Sequence, residues 1–165
     1  MLDAEIGGKR VDAGACLFRL DRRRFAVPLE RVREVVRMPA TVPLPGAPAI
    51  VEGVVDLHGE LAPVLDVRAR FAMPAKPPTP ADHLLFVHAG PRLVGFRVDE
   101  VEGVQALDLD RRSPLPTVAP GAPHMVGIAR LPGGLVLIHD PAAFLAAEEA
   151  GALDAALRAS AAARR

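Results

Sequence analysis

The chain has 165 residues, half of them hydrophobic, and its 20 basic and 20 acidic side chains cancel. That length and apolar fraction can bury the core of one domain or of two very small ones. The halves on either side of residue 82 each lie within one charge of neutral, so no overall field steers the molecule toward nucleic acid or an anionic membrane.

The opening MLDAEIGGKRVDAG carries acidic residues and no apolar run of signal length. It is expected to be a flexible tail over 1–14. No run approaches the roughly 20 apolar residues of a membrane helix, so the expectation is a cytoplasmic protein without membrane insertion. From there CLFRL, RRFAVPL, EVVRM, GVVDL and ELAPVLDV are short and rich in β-branched or aromatic residues, and they predict five strands. PLERV, between the second and third, suits a short helix with Leu29 and Val32 on one face. The second half offers five more strands: HLLFVHA, RLVGFRV, GVQAL, VGIARL and GLVLIHD. Proline clusters at 39–48, 73–82 and 113–123 mark loops, because proline donates no backbone hydrogen bond and restricts the residue before it. Asp140 is placed to cap a helix with Pro141 in its first turn, over 141–157 with a stop at Gly151 and a tail over 158–165.

The halves repeat. GVVDLHGELAPVLD (53–66) aligns without a gap on GIARLPGGLVLIHD (127–140), 74 residues later, with glycine, leucine, glycine, leucine and aspartate shared. LERVREV (29–35) falls on VDEVEGV (98–104) at an offset of 69, and Leu17 and Phe18 fall on Leu85 and Phe86 at 68, which implies turns that differ by one residue. The fold class expected is all-β: two packed five-stranded barrels, the first over about 15–72 and the second over about 83–140. Each is too small to be comfortable alone, and a groove between them is the first place to look for a partner.

No assembled chemistry is visible. The histidines, His58, His83, His88, His124 and His139, lack the spacing of a zinc site, so no metal is expected. No phosphate-cradling loop leads into a helix, so no cofactor is expected either. Cys16 shares strand parity with Phe18 and Leu20 and reads as a core thiol. Asp56 and His58 share a strand face at a turn, and a small β-barrel enzyme built on them is the weaker alternative, since no nucleophile accompanies them. DRRRF (21–25) reads as a solvated hairpin tip, because nucleic-acid stacking platforms are missing without tryptophan or tyrosine.

LFRLDRRRFAVPLERVREVVRM, PAIVEGVVDLHGELAPVLDVRARF, RLVGFRVDEVEGV and GGLVLIHDPAAFL, taken in order, resemble the CheW-like coupling proteins of bacterial chemotaxis. The family's V-x-E step is met by Val32 and Glu34, and its P-V-x-D-x-R segment by Pro63, Val64, Asp66 and Arg68. The resemblance, over 15–157, implies two intertwined SH3-like barrels and a non-catalytic scaffold. Its partners would be the cytoplasmic tip of a chemoreceptor and the regulatory domain of a CheA-type histidine kinase; a scaffold of another signalling pathway is the alternative. It also implies that Val32, Glu34, Asp56, His58 and Gly59 border those partners. The family's usual Asn-Leu-Arg-Gly turn is Asp-Leu-His-Gly here, with Asp56 and His58 at the changed positions.

Overall fold

Residues 4–6, 9–107, 125–131 and 134–163 are described in a computed structural model, with side chains over 14–106, 127–131 and 134–161. The proline cluster at 113–123, His124, Pro132 and Gly133 lie outside the described residues. Eleven strands stand among the described residues. They are β1 (Ala4–Ile6), β2 (Lys9–Leu20), β3 (Arg23–Pro28), β4 (Val32–Arg37), β5 (Val51–Leu57), β6 (Glu60–Leu65), β7 (His83–Ala89), β8 (Arg92–Val98), β9 (Glu100–Leu107), β10 (Met125–Leu131) and β11 (Gly134–His139). The predicted helix in PLERV is a 3-10 turn, Leu29–Arg31; α1 (Val67–Arg70) follows β6, and a second 3-10 turn, Pro141–Phe144, precedes α2 (Ala147–Ala163).

The expected ends differ from those observed. Part of the supposed tail over 1–14 is β1 paired with the start of β2. Asp140 does cap the turn at Pro141, accepting from the Ala142 N–H at 3.0 Å. The long helix begins only at Ala147, however, and runs through Gly151 into the supposed tail at 158–165. Leu153 and Ala156 bury themselves against Leu44 and Val54, which outweighs the roughly 1 kcal/mol that one glycine costs a helix.

The larger correction concerns the barrels, which do not follow the chain halves at 15–72 and 83–140. One sheet, here barrel 1, runs β1-β2-β3-β11-β10 with β9 also paired to β2; the other, barrel 2, runs β4-β7-β8-β6-β5. The first half therefore gives three strands to each barrel, and the second gives two to barrel 2 and three to barrel 1. Local geometry forces the crossing. Only Asp99 lies between β8 and β9, too few residues for a hairpin, and Pro28 and Val32 hold extended dihedral angles on either side of the 3-10 turn. At both points the chain runs on rather than folding back.

The exchange is symmetric to the residue. Val32, Glu34 and Val35 of β4 face Val87, Phe86 and Leu85 of β7, and residues 69 positions away, Val101, Gly103 and Val104, face Phe18, Leu17 and Cys16. Val64 beside Gly95 in barrel 2 repeats as Ile138 beside Ala26 in barrel 1, both parallel. Leu17 therefore corresponds to Phe86, and the apparent match of Leu17-Phe18 with Leu85-Phe86 is a slip of one residue, which would exchange inner and outer faces. The turns do not differ in length: Asp21–Arg22 and Gly90–Pro91 are both two-residue loops.

Three apolar layers result. Leu17, Ala26, Val136 and Ile138 fill barrel 1, while Val55, Leu57, Ala62, Val64, Leu84 and Phe86 fill barrel 2. The largest cluster, with Phe18, Phe25, Leu65, Leu85, Val87, Phe96 and Phe144, lies between them. Because β7 is buried on both faces, it reads as the nearly continuous apolar run LLFV. An ionic knot clamps the same junction. Arg68 is buried and donates to both oxygens of Asp21 at 3.0 and 2.9 Å and to Asp99 at 2.6 Å. Lys76 adds a 3.4 Å contact to Asp99. The β2–β3 turn, α1 and the β8–β9 step thus meet at one guanidinium, and Lys76 of the segment after α1 joins them through Asp99. A second buried arginine, Arg97, donates to Glu52 at 2.8 Å, to the Lys76 carbonyl at 2.8 Å and to Asp82 at 3.3 Å.

Two expectations follow from this packing. Arg68→Ala leaves carboxylates without their counter-charge at the junction and should lower stability by about 3 kcal/mol, read from the midpoint of urea unfolding. Burial pushes Asp99 up, but Arg68, the Asp21 N–H and Lys76 outweigh it and hold the carboxyl below its ordinary value; the hydrogen bond from Arg68 holds Asp21 low as well. The unfolded chain then takes up these protons first as pH falls. The stabilisation is complete above about pH 5 and is lost below about pH 4, a loss that Arg68→Ala should flatten. Separately, a Cβ on Gly53 would sit 2.7 Å from the Val42 carbonyl oxygen, where Val42 and Val54 bridge. Gly53→Ala should cost about 1–3 kcal/mol in the same assay.

Candidate functional site

The site forms where the two outer strands of barrel 2 approach each other. A bulge in β4, between Val32 and Glu34, turns these two side chains to different surroundings. Val32 packs, half-buried, against the cluster between the barrels. Glu34 lies opposite Phe86 and reaches across the barrel seam to the β5–β6 turn.

That turn is a two-residue loop between Leu57 and Glu60, and both of its residues have left-handed φ, 53° at His58 and 89° at Gly59. This is the type I′ arrangement that matches the twist of a hairpin, and glycine adopts it without strain. Asp56 locks it, its Oδ1 accepting from the Gly59 N–H at 2.6 Å. His58 extends over the seam, with Nε2 at 3.1 Å from Glu34 Oε2, and Arg33 approaches Glu60 at 3.8 Å beside it. The histidine side chain is 70% exposed and the glutamate 36%, so the latch faces solvent and is worth at most about 1 kcal/mol to folding.

Glu34, Asp56, His58 and Gly59 are thus gathered at one end of barrel 2, while Val32 points toward the inter-barrel core. Asp56 is committed to its own turn and His58 to Glu34, so the two do not form an acid–base pair. Burial pushes the Cys16 thiol up, away from the thiolate a nucleophile needs. Among the described residues no three His, Cys, Asp or Glu side chains come together to hold a metal ion. The counterparts of Glu34 and Asp56 in barrel 1 are Gly103 and Arg130, so the constellation belongs to barrel 2.

Two arginines escaped the sequence reading in different ways. Arg68 was visible as the end of P-V-x-D-x-R, but not as the buried clamp between barrels; Asp66 in the same segment caps α1 by accepting from the Ala69 N–H. Arg97 interrupts RLVGFRV, and a charge inside an otherwise apolar strand was the available signal of its buried pairing with Glu52 and Asp82.

Two strand-exchanged barrels thus present a polar, pre-set turn on an exposed seam. Residues 14–149 match the family of CheW-like domains. The chain is 33% identical over 113 residues to the chemotaxis protein CheW of Rhizobium meliloti, covering 68% of this chain and 70% of that one. It is 23% identical over 153 residues to the chemotaxis protein CheW of Klebsiella aerogenes, covering 92% of each. The crystal structure of scaffolding protein TtCheW from Thermoanaerobacter tengcongensis superposes with a TM-score of 0.68 at 25% identity, over 78% of this chain and 88% of that one. This chain belongs to the CheW-like family.

The Asp56 lock should matter more to the turn than His58 does. Asp56→Ala removes the acceptor of a short hydrogen bond and should loosen the loop, raising amide exchange at Gly59 about tenfold. His58→Ala should leave that amide unchanged and shift thermal stability by less than about 1 kcal/mol.

Proposed function

We propose that this chain is a non-catalytic adaptor that couples the cytoplasmic tip of a chemoreceptor to the regulatory domain of a CheA-type histidine kinase, working in the cytoplasm by protein contact alone. The observation that carries the reading is the exposed latch of Glu34 and His58 over the Asp56–Gly59 turn, in a chain of the CheW-like family. An adaptor needs a surface set before its partner arrives, because ordering a loop on binding subtracts from affinity. Here a type I′ turn and an aspartate lock fix the loop, and the strand exchange fixes the barrel beneath it. No helix among the described residues is long and apolar enough to cross a membrane.

His58 sets the strength of the contact. Arginine, the family's usual residue at this point, offers a charged planar fork of donors, whereas an imidazole offers at most two and no fork. Isothermal titration of the full chain against a purified receptor tip and a CheA regulatory domain tests the reading. Both should bind and form a ternary complex. His58→Arg should tighten binding to a receptor tip of the usual family type by up to about thirtyfold, the worth of one charge-assisted contact. Absence of binding to both partners would overturn the adaptor reading, and equal affinities for the two variants would remove residue 58 from the contact surface.

A further inference from the structure

The internal symmetry pairs surfaces of one barrel with surfaces of the other, and the pair that involves α2 is unequal. On barrel 2, α2 covers the outer face of the β5–β6 hairpin and the β7–β8 tip. Leu153 and Ala156 pack on Val54, and Asp154 pairs with Arg92 at 2.6 Å. Leu157 shares with Leu61 and Arg92 a cleft of about 400 Å³.

The matching positions on barrel 1 are Ile128 for Val54, Leu135 for Leu61 and Arg23 for Arg92, through the same registers. Val54 is 3% exposed, whereas Ile128 is half-buried and Leu135 is 58% exposed, one of four large apolar side chains left so open among the described residues. Arg92 is ion-paired, whereas Arg23 is exposed and has no ion-pair partner among the described residues. Beside it Asp21, Arg22, Arg23, Ala72, Met73 and Pro74 line an open groove of about 560 Å³.

The inequality has a local cause. Ala147, the first residue of α2, corresponds to Met73 at the offset of 74. After Met73 the first half continues into Pro74, Pro77, Pro78 and Pro80, which cannot sustain a helix. The first half therefore has no counterpart of α2 with which to cover barrel 1.

We propose that this face of barrel 1, which no helix among the described residues covers, is a docking seat for an amphipathic helix of a partner protein. That helix carries an acidic residue three positions before a leucine, as Asp154 and Leu157 stand in α2. The carboxylate meets Arg23 and the leucine covers Leu135, which reproduces in trans what α2 does in cis. The seat lies on the other barrel from the Glu34 and His58 latch, so its occupation is independent of the adaptor contact proposed there.

The probe is a fluorescein-labelled peptide of residues 147–163, titrated by anisotropy into the intact chain. Saturable binding is expected, weakened about tenfold by Arg23→Glu and also by Leu135→Ser, both exposed positions whose change should leave the melting temperature unaltered. A peptide with Asp154→Arg should recover affinity for the Arg23→Glu chain, and Arg92→Glu should have no effect on the native peptide. No saturable binding at millimolar concentration would overturn the proposal. So would binding abolished by Arg92→Glu and indifferent to Arg23 and Leu135, because the peptide would then be displacing α2 from its own seat.

Discussion

Two short parallel contacts, Ala26 beside Ile138 in barrel 1 and Val64 beside Gly95 in barrel 2, hold strands from opposite halves of the chain together, and the other features of the molecule depend on them. Neither barrel has a closed set of strands until both halves are present. The apolar faces of β2 and β7 that look away from their own barrels then meet in one shared layer around Phe18, Leu85 and Phe96. That layer is the largest apolar cluster, and it exists only because the strands are exchanged. Arg68, inserted between Asp21 and Asp99, makes the junction specific in direction as well as apolar, since one guanidinium must satisfy carboxylates from two elements at once.

The proposed contact surface inherits this rigidity. Glu34 comes from a strand that crosses over from barrel 1, and His58 from the hairpin that follows. Their contact therefore spans a seam whose two sides are fixed by different parts of the exchange. A turn presented in this way needs little ordering when a partner arrives. The same duplication explains why the latch is single: at the counterpart of Glu34 stands Gly103, with φ of 121°, so the bulge is kept in barrel 1 and the charge is not.

Strands and turns were legible because their signals are local. Alternating or continuous apolar runs bounded by glycine and proline sufficed for RRFAVP, HLLFVHA and GLVLIH. Which strand pairs with which is a non-local fact, and composition carries little of it. Even the repeat contains a false match, since Leu17-Phe18 and Leu85-Phe86 are identical but one residue off register. At Gly151 a local stop signal competes with the packing of Leu153 and Ala156, and packing wins. At the candidate site, Glu34, Asp56, His58 and Gly59 were named through resemblance, but the contact between Glu34 and His58 depends on barrel closure, which no spacing along the chain expresses.

Cutting the chain in the linker between Lys76 and Pro77 tests the strand exchange most directly. Expressed separately, fragments 1–76 and 77–165 should each lack a folded monomer, since neither holds a complete barrel. Mixed in equal amounts they should assemble into a one-to-one complex that unfolds in a single cooperative transition, followed by circular dichroism and analytical ultracentrifugation. A monomeric fragment that folds and unfolds cooperatively by itself would contradict the exchanged architecture.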